Sequence, residues 1–262
     1  MSETTEPILV REQRGAVVVL RLNRPDARNS FNPALMGDLG NALAEAESDP
    51  DVRAVVLTGT GDRAFSAGMD LRAFAQGGGE ATDEQKAGMV HFNRFTGGEI
   101  AMPIVGAAQA TAVAGGFELL MGCDVVVASE TAQFGLPEVK RALFAAGGGV
   151  FISNRIPLAV ALELTLTGDP IDAARAYELG LVNKVVPADQ VLEEGVALAE
   201  RIAKNGPLAL QATKELVHLA NHDLAAARAK QNEWAPKVFG SEDAKEGATA
   251  FIEKRDPVWQ GK

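Results

Sequence analysis

The chain has 262 residues, of which 47% are hydrophobic and 23% are charged, and its formal net charge is −10 at pH 7. This length fits one large domain with its own core, and the acidic balance argues against general affinity for nucleic acid or an anionic membrane. The one cysteine, Cys123, excludes an internal disulfide framework and fits a reducing compartment. Residues 1–12 lack the order of a signal peptide and no apolar run reaches about 18 residues, so we expect a soluble cytoplasmic protein.

The first half of the chain alternates apolar strands with helical segments. Asn32 and Pro33 fit the N-cap and the first position of a helix that continues to about residue 49. Because strands and helices alternate, we expect an α/β fold with largely parallel strand pairing. Strands are predicted at residues 15–23, 52–59 and 102–110, in the stretch CDVVVAS that begins at Cys123, and in the short stretch AQFG.

Two other parts of the chain have a different character. The stretch TGDRAFSAGMDLRAF predicts a loop that turns into a helix, and the polar residues 76–85 predict a flexible segment. From about residue 158 the pattern is almost wholly helical, with one helix beginning at Asp172 and ending at Gly180, then a short strand and several amphipathic helices. Terminal helices of this length pack either on another subunit or on their own domain, and the pattern leaves both open.

A carboxylate lies in the middle of the small, apolar stretch AGGFELLMGCD. Gly115 and Gly116 precede a helix whose first N–H groups lack internal partners, and glycine lets an oxygen approach those groups. Glu118 lies one turn further along, so this helix can offer an N–H to an oxyanion and a carboxylate to a neighbouring atom. The same residues also fit close packing of two elements, with Glu118 satisfied by the helix end.

The stretch AFSAGMDL, residues 64–71, resembles that junction because small residues again connect a loop to a helix. The N–H of Met69 would be one of the unpaired donors, and two such donors from two helix starts would form an oxyanion hole. An ordinary helix cap made by Asp70 or Ser66 explains the stretch equally.

Glu138, in the stretch FGLPEVK, is the second candidate acid. It follows Glu118 by twenty residues with one strand between them, so both acids can lie at the same end of a sheet. Two carboxylates beside one cavity suit general acid–base chemistry, because burial raises the pKa of a carboxyl. Since Pro137 precedes it, Glu138 also fits a simpler interpretation as an acid at a helix start.

The motifs RPDARNSF, AFSAGMDL, AAQATAVAGGFELLMGCDVVVASETAQFGLPEVK and GLVNKVVP occur in this order over nearly the whole chain. Together they resemble the crotonase superfamily, the enoyl-CoA hydratase/isomerase family. The resemblance implies an α/β, crotonase-like spiral of ββα repeats with a helical C-terminal region, an acyl-CoA thioester substrate, and a homotrimer or dimer of trimers. We accordingly expect the spiral core over residues 1–200 and a helical oligomerisation region over residues 201–262.

The resemblance also implies roles for the candidate residues. The N–H groups of Met69 and Gly115 would hold the thioester oxygen and stabilise an enolate, without any metal or redox cofactor. Glu118 and Glu138 match the two glutamates of the family's hydratases, so Glu118 would deprotonate water and Glu138 would deliver a proton to the α-carbon. The implied activity is an enoyl-CoA hydratase that converts a trans-2-enoyl-CoA to a 3-hydroxyacyl-CoA, with coenzyme A as part of the substrate.

Other residues are expected to bind the substrate. The resemblance places Arg24 and Arg28 near the nucleotide of coenzyme A, and Phe251 and Lys254 where some relatives reach it from a neighbouring subunit. Solvated surface arginines are the alternative for the first pair. Ala67 and Asp70 are also expected to bind the substrate. The expected acyl-pocket residues, for which ordinary core packing is the alternative, are Met69, Phe74, Phe117, Leu136 and Phe144.

Several alternatives remain open or are disfavoured. The apolar tail of AAGGGVFI, residues 145–152, departs from the polar tail usual in hydratases, which leaves the acyl preference and the reaction type open. A 3,2-enoyl-CoA isomerase would need only one base, and a relative that binds acyl-CoA without turnover would need none. The stretch TGTGDRA fits a dinucleotide-binding loop only loosely, Ser66 lacks a recognisable triad, and neither a metal site nor RNA binding has support.

Overall fold

A six-stranded sheet forms the centre of the fold in a computed structural model, which describes residues 6–75 and 81–262 except the side chain of Phe74. The strand order is β1-β2-β3-β4-β6-β9; β1 pairs antiparallel with β2, and the other pairs are parallel. A second sheet contains β5, β7 and β8. The strands are β1 Leu9–Arg14, β2 Val17–Leu22, β3 Ala54–Gly59, β4 Ile104–Ala108, β5 Ala112–Val113, β6 Val125–Ser129, β7 Gln133–Gly135, β8 Ile171–Asp172 and β9 Lys184–Val186.

Helices connect the strands and make up most of the C-terminal part of the chain. The α-helices are α1 Pro33–Ser48, α2 Leu71–Ala75, α3 Asp83–Thr96, α4 Gly115–Met121, α5 Leu158–Thr167, α6 Ala173–Glu178, α7 Val191–Ala203, α8 Pro207–His222, α9 Leu224–Phe239 and α10 Glu242–Glu253. Short 3-10 helices occupy Pro25–Ala27, Pro137–Arg141, Gly149–Asn154 and Ala188–Gln190. None of the helices in the described ranges is long and apolar enough to cross a membrane.

The central sheet is buried on both faces, which explains the continuous apolar runs of its strands. Along β3, Val56 faces a smaller apolar cluster that includes Val191 and Val196 of α7. Its neighbours Val55 and Leu57 point to the other face and belong to the larger core cluster. This alternation follows from the two-residue period of a strand, so one sheet separates α7 from the helices that surround the candidate site.

Two helix boundaries agree with the local signals in the sequence. The Asn32 side chain accepts the N–H of Leu35 at 2.9 Å, and Pro33 is the first residue of α1. Asp172 caps α6 in the same way, and Gly180 follows that helix with φ of +77°. Capping residues of these types specify a boundary locally, so these predictions needed no tertiary information.

Three local predictions were wrong or incomplete. Strand β1, which pairs antiparallel with β2 at the sheet edge, was not predicted because its residues are mainly polar and half-exposed. Helix α3 starts inside the segment predicted to be flexible, where Thr82 and Gln85 form a capping box. Residues 76–80 of that segment lie outside the described residues. The chain at Pro137–Arg141 forms a 3-10 helix and not the start of an α-helix.

Candidate active site

Two loop-to-helix junctions meet and bring Met69 close to Gly115. The N–H of Val113 donates to the carbonyl of Ser66 at 3.1 Å, which holds the two junctions side by side. A Cβ added to Gly68 would lie only 2.7 Å from the nitrogen of Gly115, and Gly68 has φ of +81°. Both the close approach and the left-handed backbone require glycine at this position.

The N–H groups of Met69 and Gly115 find no acceptor within residues 6–75 and 81–262. Around Met69, Phe31 donates its N–H to the carbonyl of Gly68 at 2.7 Å, and Asp70 donates to the carbonyl of Phe31 at 2.8 Å. Neither of these two hydrogen bonds uses the Met69 N–H. Gly115 is the first residue of α4, where an N–H has no acceptor inside the helix. Both donors are therefore free to bind a ligand oxygen.

Glu118 lies on α4, one turn after Gly115, with a half-buried side chain. Its Oε1 accepts the N–H of Gly149 at 2.8 Å. Burial raises the pKa of the Glu118 carboxyl, while the N–H groups of Gly149 and Gly147 oppose that rise. A Cβ on Gly147 would lie 2.6 Å from Oε2, and one on Gly149 would lie 3.0 Å from Oε1. The glycines of the AAGGGVFI segment thus leave the space that this carboxylate occupies.

Glu138 lies on the 3-10 helix Pro137–Arg141, and its side chain is also half-buried. Its Oε2 atom is buried and has no hydrogen-bond partner among the residues that the structure describes. Burial is the main factor that raises the pKa of the Glu138 carboxyl, and the charge of Glu118 adds to the rise. Its own backbone N–H and the guanidinium of Arg141 act in the opposite direction. The carboxyl is therefore easier to keep protonated than an exposed glutamate.

The two glutamates share one cavity of about 360 Å³ with the free N–H groups. Among the sequence-predicted residues, the structure brings Arg28, Ala67, Met69, Gly115, Glu118, Glu138 and Phe144 to its wall. Most of the other lining side chains are apolar, so the carboxylates and N–H groups sit in a cavity where electrostatic interactions are stronger than in water. The cavity is also lined by Phe31, Met36, Leu71, Phe92, Thr96, Val113, Ala114, Leu119, Pro137, Arg141, Leu143, Ala146 and Gly147.

Arg24 and Asp70, both predicted to bind substrate, form an ion pair with each other. Arg24 Nη2 lies 3.0 Å from Asp70 Oδ2, and its Nη1 donates to the carbonyl of Ser30. The other carboxylate oxygen of Asp70 accepts the N–H groups of Arg72 and Ala73, each at 3.2 Å, at the start of α2. Asp70 therefore acts as a helix cap, the alternative that the sequence left open, and Arg24 holds it in place.

Besides Arg24 and Asp70, four more predicted residues do not line the cavity. Phe117 and Leu136 are almost fully buried in the larger core cluster, where the Phe117 ring lies 5.6 Å from that of Phe134. Their side chains pack the elements behind the glutamates and do not line the cavity. Phe251 and Lys254 lie at the end of α10 with exposed side chains, away from the cavity residues of their own chain. The side chain of Phe74 lies outside the described residues.

Sequence reasoning missed the helices α1 and α3 as cavity walls. Met36 comes from α1, while Phe92 and Thr96 come from α3. A cluster of close contacts joins these two helices, since a Cβ on Gly40 would lie 1.9 Å from the carbonyl oxygen of Gly88. The glycines were visible in the sequence, but only the fold shows which helices they join.

Within the described ranges, no group of three or more His, Cys, Asp or Glu side chains is placed to hold a metal ion.

Comparison with known proteins gives a consistent result. The family model described as Enoyl-CoA hydratase/isomerase matches residues 12–262. The structure resembles that of enoyl-CoA hydratase EchA1 from Mycobacterium marinum, with a TM-score of 0.89 and 41% identity over 98% of this chain and 100% of that chain. Enoyl-CoA hydratase EchA19 of Mycobacterium tuberculosis is 38% identical over 98% of this chain and 97% of its own length. Carnitinyl-CoA dehydratase of Proteus mirabilis is 34% identical over 95% of this chain and 97% of its own length. The structural similarity confirms the predicted fold.

Proposed function

The chain belongs to the enoyl-CoA hydratase/isomerase family, and from this membership we propose that it adds water across the double bond of a trans-2-enoyl-CoA. One observation carries the proposal. Two half-buried carboxylates, Glu118 and Glu138, line the same cavity as two backbone N–H groups that have no acceptor within the described ranges. Hydration needs a base for water, an acid for carbon and a site for the enolate oxygen, and this set provides all three.

The substrate carbonyl would accept hydrogen bonds from the N–H groups of Met69 and Gly115. As water adds to the β-carbon, negative charge moves from the double bond to the thioester oxygen and forms an enolate. Donors that are already fixed by the backbone stabilise this charge without reorganising, which lowers the barrier. The close contact between Gly68 and Gly115 fixes the relative position of the two donors.

The two glutamates would divide the proton transfers between them. Glu118 keeps a backbone donor, the Gly149 N–H at 2.8 Å, which stabilises its carboxylate form and suits it to take a proton from water. The buried Oε2 of Glu138 lacks such a donor among the described residues, which favours its protonated form. Glu138 would deliver its proton to the α-carbon, so that water is added overall and the product is a 3-hydroxyacyl-CoA.

The experiment compares Glu118→Gln with Glu138→Gln in two assays, hydration of 2-enoyl-CoA and conversion of 3-enoyl-CoA to 2-enoyl-CoA. Loss of either carboxylate should lower the hydration rate by about 10²–10⁴-fold. Glu130→Gln is the matched control, because Glu130 is exposed and does not line the cavity. The hydratase proposal fails if Glu118→Gln retains the main activity. An isomerase would lose its activity with Glu138 and keep most of it without Glu118.

A further inference from the structure

Arg141 is a cation on the cavity wall that the proposed reaction does not use. It lines the cavity beside Glu138, yet it forms no ion pair or side-chain hydrogen bond among the residues that the structure describes. Its neighbour Lys140 points elsewhere and pairs with Asp169, with 2.5 Å between Nζ and Oδ1. The two adjacent basic residues therefore differ, since Lys140 has a carboxylate partner whereas Arg141 lines the cavity.

The local backbone explains why Arg141 shares the cavity with Glu138. Residues three apart in a 3-10 helix lie on the same face, and these two residues are three apart in Pro137–Arg141. The guanidinium is close enough to oppose the rise in the pKa of the Glu138 carboxyl. It nevertheless makes no ion pair with Glu138, so its donors remain free for a ligand anion.

The position of Arg141 separates it from Arg28, another arginine of the cavity wall. Arg28 belongs to the wall that carries Ala67, because the N–H of Ala67 donates to the Arg28 carbonyl at 3.0 Å. Arg141 belongs to the wall that carries Glu138, the proposed proton donor to the acyl chain. Arg141 shares that second wall with the apolar side chains of Leu143 and Phe144, which suit contact with an acyl chain.

Arg141 is exposed, so its charge is hydrated in the free protein, and a bound anion would replace that water with direct hydrogen bonds. Its planar fork matches a carboxylate, with which it can form two parallel hydrogen bonds. We propose that the preferred acyl group ends in a carboxylate that pairs with Arg141, so that the substrate is the coenzyme A monothioester of an unsaturated dicarboxylic acid. This inference rests on the proposed hydratase function and names its substrate class.

The test compares trans-2-enoyl-CoA substrates of several chain lengths with the monothioesters of the matching 2-enedioic acids. In the unaltered protein, the best carboxylate-ended substrate should have a higher kcat/KM than the neutral substrate of equal length. Arg141→Met should reduce the ratio of kcat/KM for the carboxylate-ended substrate to kcat/KM for the neutral one at least about tenfold. Arg141→Lys should retain part of the preference. Lys140→Met is the matched control, since it removes a neighbouring charge that points away from the cavity and should leave the ratio unchanged.

Several outcomes would overturn the proposal. One is a kcat/KM for the carboxylate-ended substrate that is below that for the neutral substrate in the unaltered protein. Another is a ratio of these two kcat/KM values that Arg141→Met does not alter. A loss of kcat/KM shared equally by both substrates, together with weaker binding of free coenzyme A, would assign Arg141 to the coenzyme A phosphates instead. A preference for an acyl group ending in a trimethylammonium cation would also contradict it. If no substrate is hydrated, the proposed function itself fails, whereas hydration of neutral substrates alone refutes only the inference about Arg141.

Discussion

The carboxyl groups of Glu118 and Glu138 carry a stability cost that depends on pH. Burial raises the pKa of both above the ordinary value, so the folded protein binds protons more tightly than the unfolded chain. The free energy of unfolding should therefore fall as pH rises from the ordinary glutamate pKa, about 4.3, through the raised value in the folded protein. Sites that place ionisable groups in apolar surroundings commonly trade stability for function in this way.

We expect Glu138→Gln to unfold at a higher temperature than the unaltered protein at pH 7–8, because an uncharged amide does not lose hydration as a carboxylate does. The difference should shrink toward pH 4, where the glutamate is itself protonated. Thermal unfolding followed by circular dichroism over this pH range gives the unfolding temperatures of the variant and of the unaltered protein. A variant that is less stable at every pH would show that the Glu138 carboxylate contributes to folding through a favourable contact.

Gly147 should matter through the position of the Glu118 carboxylate. In Gly147→Ala, the added Cβ would lie 2.6 Å from Oε2 of Glu118, which is closer than real contacts allow. We expect kcat for hydration to fall by about tenfold or more, because a misplaced base loses its alignment with the water. The fold should survive, since Gly147 lies in a loop at the cavity surface.

Gly206→Ala is the matched control for that substitution. Its Cβ would meet the Trp259 ring at 3.8 Å, an ordinary contact, and Gly206 has φ of −62°. Hydration should be unchanged in this variant. Unchanged kcat in Gly147→Ala, with a crystal structure showing Glu118 in its original position, would contradict the role given to the glycine.

Among the secondary-structure elements, α8 is joined to the central sheet by a partly buried ion pair. Asp124, just before β6, accepts hydrogen bonds from Lys214 of α8 at 2.8 Å and from the N–H of Ile104 at 2.7 Å. His218 of α8 lies 3.2 Å from the other carboxylate oxygen. Lys214 also donates to the carbonyl of Met102. These contacts outweigh burial, so the pKa of Asp124 lies below its ordinary value.

Because the folded pKa of Asp124 is lowered, its contribution to stability is complete above the ordinary aspartate pKa and is lost as pH falls through the folded value. Lys214→Met should reduce the free energy of unfolding at pH 7 by about 3 kcal/mol, since it leaves a partly buried carboxylate without its lysine partner. Lys140→Met removes the exposed pair with Asp169 and should cost less than about 1 kcal/mol. Urea unfolding of the two variants gives the comparison, and equal losses would contradict it.

Local signals predicted the elements that local interactions specify. Asn32 and Asp172 begin helices by capping them, and continuous apolar runs become buried strands. Strand β1 escaped prediction because pairing with β2 determines its structure more than its own polar residues do. Helix α3 is stabilised by packing on α1, and that contact depends on glycines distant in sequence.

The candidate site shows the same division between local and tertiary information. Glu118, Glu138, Met69 and Gly115 belong to recognisable motifs, and the structure brings all four to one cavity. Phe117 lies beside Glu118 in sequence but points into the core, because neighbouring residues on a helix face different directions. The tertiary contacts alone determine which other side chains complete the wall.

For the whole molecule, the C-terminal helices bury little surface within their own chain. Ala212 is the buried residue of α8 and Ala227 that of α9. Phe239, Phe251 and Ile252 are 82%, 85% and 78% exposed. Apolar side chains exposed to this degree on adjoining helices are typical of surfaces that another subunit covers. We therefore propose that residues 201–262 form the oligomerisation region, and from the family resemblance we propose that the chain assembles as a trimer or a dimer of trimers.

The assembly can be tested by sedimentation equilibrium of the full chain. One chain has a mass of 27.5 kDa, so a trimer has three times and a dimer of trimers six times the mass of one chain. Replacing Phe239, Phe251 and Ile252 with serine should shift the equilibrium toward monomer, because the loss of apolar contact weakens association while each isolated chain keeps its fold. Val90→Ser is the control, since Val90 is 62% exposed on α3, outside the proposed region. A monomer in the unaltered protein would refute the proposal, and an unchanged mass in the triple variant would place the interface elsewhere.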